Sequence, residues 1–290
     1  MITTDRKGIS ELVKLSLPYT GLCILYFAGV IFLEETYGDH IYKISGQMGT
    51  VFGLALAFFL GFRMNTAYDR WWEGRKILGE FVSTSRSFAA KAITYFPSKK
   101  GISPIAINLI KLLQVYIHQF KDQMQHNSNV KKYTSELGEL ARRLSTKSNP
   151  AVHLLAEISL GIEKNWKSKN ELDKNDLMQH ITRFYEAQGK AERIRNTPFL
   201  KVYKALTNLM VYSYVMLIPL FMGDIDLGGE VSRWEYLSIP IMTLIGTIFL
   251  TVNQLSNLYA EPFSEHIISL PVDMVAKIIE TDLKEMIETI

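Results

Sequence analysis

ISGQMGTVFGLALAFFLGF, Ile44–Phe62, runs directly into RMNTAYDRWWEGRKILGE, Arg63–Glu80. The first part carries no Asp, Glu, Lys or Arg over 19 residues, and about 20 apolar residues in a helix cross the hydrocarbon core of a bilayer. Three further windows are equally free of charge: Leu15–Leu33, Ala205–Gly223 and Tyr236–Ala260, of 19, 19 and 25 residues. One such window fits a buried soluble helix; four define a polytopic membrane protein.

Within the second span Leu54, Phe58 and Phe62 recur every fourth residue, and Gly53, Ala57 and Gly61 form a parallel stripe beside them. Residues four apart share a helix face. Small residues let membrane helices approach closely, and Gly49-x-x-x-Gly53 is itself such a motif. Two readings follow for the large stripe. It packs against a neighbouring helix or lipid, or it faces a symmetry axis, where several copies stack apolar rings into a constriction that gates by dewetting.

Composition narrows the function. The chain has 290 residues, is 48% hydrophobic and 21% charged, and carries a formal net charge of +3. The one cysteine, Cys23, lies inside the first span, which excludes a disulfide framework or a Cys-based zinc site. Basic residues are interleaved with Glu and Asp through the middle of the chain and form no single stripe, so a nucleic-acid partner is not expected. No HExxH, nucleophile, Walker or dinucleotide pattern is present, so no enzyme, metal site or cofactor is expected. Arg6, Lys7 and Lys14 precede a 19-residue apolar run with no small-residue cleavage site, so this run reads as a retained span.

Charge also sets the expected topology. The segment 63–204 holds 25 of the 32 basic residues, whereas the loops 34–43 and 224–235 have one each, Lys43 and Arg233. Basic residues near span ends stay cytoplasmic. Both termini and 63–204 are therefore expected on the cytoplasmic side of the cell membrane, with the two short loops outside. The 63–204 segment reads helical throughout. The second span continues without proline to Phe96, and helices are expected at 104–126, 150–167 and 171–195, the first two opened by Ser103-Pro104 and Asn149-Pro150.

Three segments resemble the bestrophin family in its bacterial branch. They are GFRMNTAYDRWWEGRKILGE (61–80), AERIRNTP (191–198) and NLYAEPFSEHIISLPVDMVAKIIETDLKEM (257–286). The resemblance covers the whole chain in order and implies one all-α channel domain over 1–290. Its parts are spans at 15–33, 44–62, 205–223 and 236–260, a cytoplasmic helical region at 63–204 and a tail at 261–290. It implies a homopentamer around one axial pore in the inner membrane, passing small inorganic ions and surrounded by lipid. The family's neck falls on Leu54, Phe58 and Phe62, with Gly53, Ala57 and Gly61 as packing residues. Arg63, Asn65 and Asp69 fall at the inner vestibule, and Leu172 at the cytoplasmic aperture. The resemblance makes chloride the default ion. The outer loops, with seven acids against two bases, favour a monovalent cation such as sodium instead.

Two alternatives use other features. A secondary transporter would exploit Pro219, Pro240 and Asn253 as helix breaks and a midplane polar group. Trp71 and Trp72 read as anchors at the membrane interface. Eukaryotic relatives follow Pro-Phe-Gly with an acidic calcium clasp. Here Ser264 stands at the glycine and only Glu265 and Asp273 are near, too few for the six to eight oxygens calcium takes. Calcium gating through this segment is not expected.

Overall fold

The structure, a computed structural model, describes residues 5–37, 44–99, 101–125, 130–167, 170–222, 235–266 and 268–288. Among these there are helices and turns and no strand. The helices are α1 (Asp5–Tyr37), α2 (Gly46–Tyr95), α3 (Pro104–Met124), α4 (Thr134–Leu137), α5 (Glu139–Leu144), α6 (Pro150–Asn165), α7 (Glu171–Asn196), α8 (Lys201–Met222), α9 (Glu235–Ala260) and α10 (Val272–Glu288). Four of them are long and apolar enough to cross a membrane, within Gly8–Glu34, Gly46–Tyr95, Lys201–Met222 and Ser238–Tyr259. They correspond to the four windows read from the sequence. The outer-loop residues Asp39, Lys43, Asp224, Asp226, Glu230 and Arg233 lie outside the described residues.

The chain that reads as one domain comprises two compact units. One is Met1–Asp69 with Phe199–Ala260, the other Arg70–Pro198 with Glu261–Ile290. The tail after 260 thus belongs with the middle of the chain, and α2 contributes its first half to one unit and its second half to the other.

The first unit is a bundle of α1, the first half of α2, α8 and α9. Its core is small: Cys23, Phe27 and Ile31 from α1, Leu56 and Leu60 from α2, Val211, Val215 and Ile218 from α8, and Met242 and Leu250 from α9. Glycine sets the close approaches. A Cβ on Gly49 would sit 2.6 Å from Cγ of Phe221, and one on Gly53 2.6 Å from the Tyr214 hydroxyl. The Gly49-x-x-x-Gly53 motif is therefore consumed by α8 of the same chain. Helices α8 and α9 run unbroken through Pro219 and Pro240, so these prolines do not make the interruptions that a transporter reading wants; neighbouring helices in a membrane bundle commonly absorb them.

The second unit has the larger core, in which the rings of Phe81, Phe120, Tyr116, Phe184 and Phe88 contact one another. The expected helix starts are there: Ser103 accepts from the Ile105 amide and Asn149 from the Val152 amide, each ahead of a proline in the first turn. In the polar stretch 127–149, the described residues form a short turn at Val130–Tyr133 and then α4 and α5, separated by Gly138 at φ 53°. That backbone angle suits glycine.

Polar groups fasten the helices of this unit together. The Asp176 carboxylate on α7 accepts from Lys91 at 2.6 Å and from the Tyr95 hydroxyl at 2.7 Å, both on α2. Those two contacts, Lys91 first, hold its pKa below the ordinary carboxylate value. One turn further on, His180 is buried and its Nδ1–H donates to the Asp176 carbonyl at 2.9 Å. Burial lowers the proton affinity of this imidazole. A histidine whose folded pKa is depressed binds its proton more readily when unfolded, so its neutral form contributes stability that is lost as the pH falls below about 6.5. Thermal unfolding in detergent between pH 5 and 8 should show a falling midpoint below that value, with a shallower slope in His180→Leu; an unchanged slope would contradict the assignment.

Candidate pore-lining helix

Helix α2 presents two opposite faces in the first unit. Leu56, Leu60, Arg63 and Ala67 are buried in the bundle. At about 100° per residue, Leu54, Phe58, Phe62, Asn65 and Asp69 occupy an arc centred about 180° away. Leu54, Phe58 and Phe62 are 74%, 64% and 54% exposed, and Asn65 and Asp69 are exposed as well. The rings of Phe58 and Phe62 meet edge to face at 4.5 Å between centroids, so the lower part of the stripe is a continuous aromatic surface. It does not pack on the subunit's own bundle.

The small stripe divides. Gly53 meets Tyr214, whereas Ala57 is exposed and a Cβ on Gly61 would meet nothing within 4 Å. Ala57 and Gly61 lie beside the large stripe and remain free to receive another helix. Leu172, at the start of α7, is 77% exposed.

Arg63 departs from the expectation. The family resemblance puts it at the inner vestibule, yet this side chain is 1% exposed. It lies on the inward face of α2 and reaches across the bundle. Its Nη1 donates to Thr207 Oγ1 at 2.6 Å, to Asn208 Oδ1 at 3.2 Å and to Asn253 Oδ1 at 2.5 Å, and its Nη2 donates to Asn257 Oδ1 at 2.6 Å. Burying a charge is tolerable only where hydrogen bonds replace water, and α8 and α9 supply four oxygens. Asn253 also donates to Asn208 at 3.0 Å. The midplane-type polarity of Asn253 thus serves a clamp inside the subunit, and of the three vestibule candidates only Asn65 and Asp69 face outward.

From Arg70 onward the 61–80 segment acts in the second unit. Arg70 donates to the carbonyls of Ile194 and Thr197, capping the carboxyl end of α7 as a cation near the last carbonyls can. Trp71 donates from Nε1 to the Ile268 carbonyl at 3.0 Å. This gives Trp71 a structural partner within the second unit. A Cβ on Gly74 would meet Leu270 at 2.7 Å. Arg70 therefore holds the 191–198 segment, while Trp71 and Gly74 hold the 261–271 segment.

The 261–273 region gives its acid other work. Asp273 accepts from Gln125 at 2.8 Å and pairs with Lys121 at 3.0 Å, which together, Gln125 first, keep its pKa below the usual carboxylate value. Titration of the purified protein with calcium from nanomolar to millimolar is expected to show no saturable binding at this segment. Saturable binding abolished by Asp273→Asn would contradict this.

The geometry defines a class: an all-helical membrane protein whose second apolar helix turns a bare hydrophobic stripe away from its own bundle. The family model described as Bacterial/Fungal Bestrophin protein matches residues 10–285, and the chain belongs to that family. A relative from Escherichia coli strain K12, named voltage-dependent anion channel-forming protein YneE, is 26% identical over 269 residues, covering 91% of this chain and 84% of the relative. The similarly named Synechocystis protein sll1024 is 22% identical over 274 residues, 92% and 85% of the two chains. Among solved structures, a bacterial bestrophin homolog from Klebsiella pneumoniae superposes with a TM-score of 0.78 at 20% identity, covering 95% of this chain and 98% of that one. A crystallised membrane-protein variant reaches 0.83, also at 20% identity, with 94% and 98% covered.

Proposed function

We propose that this chain is the subunit of a homopentameric anion channel of the cell membrane. Five α2 helices surround one axial pore, with Leu54, Phe58 and Phe62 as three apolar rings of a neck. The observation that carries this reading is the exposure of that stripe on the side of α2 opposite the subunit's own core. An apolar face left bare in a membrane bundle meets lipid, a neighbouring subunit or a pore. The arc continues into Asn65 and Asp69, an order that suits a dry constriction opening into a wetter chamber better than it suits lipid. Ala57 and Gly61, beside the stripe, give the neighbouring α2 room to approach. Both termini and the 63–204 segment are assigned to the cytoplasm on the charge bias, and Leu172 to the cytoplasmic aperture. Nothing in this mechanism calls for a cofactor or a chemical step.

The name shared by the relatives points to an anion, with chloride as the ion to test, while the acidic outer loops favour sodium. Purified protein in a planar bilayer under asymmetric sodium chloride decides. The proposal expects discrete openings whose reversal potential moves toward the chloride equilibrium potential. A shift toward the sodium value would reassign the channel to cations, and absence of any ionic current would remove the channel reading.

A further inference from the structure

The four groups that receive the Arg63 guanidinium are all neutral: one hydroxyl and three carboxamides. Among the described residues Arg63 makes no ion pair, and its Nε is buried without a hydrogen-bond partner. Guanidinium stays protonated under all ordinary conditions. Buried charges are ordinarily paired with an opposite charge, and an ionisable group inside a membrane bundle marks function by default. Here the bundle keeps the dipoles that solvate the cation and omits the carboxylate that would cancel it. Asparagine stands at 208, 253 and 257, and aspartate, almost the same shape, stands at none of them.

We propose that Arg63 sets ion preference from behind the pore wall: it is a fixed, uncompensated positive charge that raises the chloride-to-sodium permeability ratio without touching the ion. This rests on the reading of α2 as the pore-lining helix. Arg63 directly follows Phe62, the last apolar ring, and its side chain points the opposite way, into the bundle. Five copies would form a cationic collar around the base of the neck. Because the intervening medium is protein and not electrolyte, its field is weakly screened by salt. Acids in exposed loops behave oppositely, since their influence fades beyond about 8 Å at physiological ionic strength. The collar therefore dominates at high salt.

The test neutralises the collar while keeping the four oxygens that receive the guanidinium, losing only the Asn253–Asn208 hydrogen bond. Asn253→Asp places a carboxylate on the guanidinium at almost unchanged volume, and a neighbouring cation keeps that carboxylate ionised. Reversal potentials are read in asymmetric sodium chloride, at low and at high salt, for the parent, Asn253→Asp, Arg63→Gln and Arg63→Lys. Asn253→Asp and Arg63→Gln are expected to lower the chloride-to-sodium ratio about tenfold, the change persisting at high salt. Arg63→Lys, which keeps the charge and loses the forked geometry, should stay near the parent. An assembled, conducting Asn253→Asp channel with the parent's ratio overturns the proposal, as does Arg63→Lys falling as far as Arg63→Gln. If Arg63→Gln fails to assemble, Asn253→Asp and Arg63→Lys carry the decision. Unchanged selectivity in a channel whose conductance responds to alanine at Leu54, Phe58 and Phe62 removes the collar alone; where those alanines also have no effect, the pore assignment of α2 falls with it.

Discussion

Replacing Leu54, Phe58 and Phe62 together by alanine is expected to raise unitary conductance several-fold and to weaken any gating that depends on a dry neck. Each phenylalanine presents a large apolar ring, and alanine removes nearly all of it. Three successive rings would widen and wet at once, lowering the barrier to a hydrated ion. Because these side chains are bare in the subunit and contribute nothing to its core, the triple variant should keep the parent's subunit fold. A pentameric triple variant that conducts like the parent would contradict a pore role. Loss of the pentamer with an intact subunit would move the stripe to a contact between subunits.

The second large effect concerns the other unit. Asp122 is buried near the end of α3, where it accepts from the Tyr133 hydroxyl at 2.7 Å and pairs with Lys121 at 3.1 Å and with Lys132 at 3.4 Å. Burial and then this carboxylate push the Tyr133 phenol above its ordinary range. Lys121 in turn reaches Asp273 at the start of α10, so Asp122 sits where α3, the 130–133 turn and α10 are joined. Asp122→Ala strips the half-buried Lys121 of one of its two partners and leaves the buried Tyr133 hydroxyl unmet. Leaving a buried hydroxyl without its acceptor costs about 1–3 kcal/mol. Denaturation in detergent should register a loss of that size, against a much smaller loss for Arg142→Ala, whose pairing with Glu139 is exposed. A loss below about 1 kcal/mol, the value of a surface pair, would contradict the assigned role.

How far the sequence reaches is clearest along α2. Its start, its lack of a break and its length follow from a charge-free run that passes into a polar run with no proline, and the structure ends it at Tyr95, one residue before the expected Phe96. The four-residue spacing separates its large and small stripes as well. Which face meets the subunit's own bundle is not a local property. Leu56 and Leu60 are as apolar as Leu54 and Phe58, and only the positions of α8 and α9 decide between them. Arg63 shows the same gap more sharply. Its position beyond the last apolar residue marks it as a membrane-edge charge, while its receivers Asn253 and Asn257 stand 190 and 194 residues away. The one available signal was the presence of asparagines at 208, 253 and 257, toward the ends of two otherwise apolar runs. Gly49 and Gly53 carry a recognisable packing motif, but its spacing does not say whether the partner helix belongs to the same chain.

Whether the Leu54–Phe58–Phe62 face of α2 lines an ion pathway is decided by labelling it from the pore. Phe58→Cys in a Cys23→Ser background provides one engineered thiol, since Cys23 is the chain's only native cysteine. A charged methanethiosulfonate reagent is added to single channels in a planar bilayer, with Phe32→Cys, on an exposed face of α1, as the comparison. Modification at 58 is expected to alter the current through an open channel abruptly and irreversibly, while the Phe32 variant conducts unchanged. A Phe58→Cys channel whose current is untouched, although its thiol is shown by mass to have reacted, would contradict it.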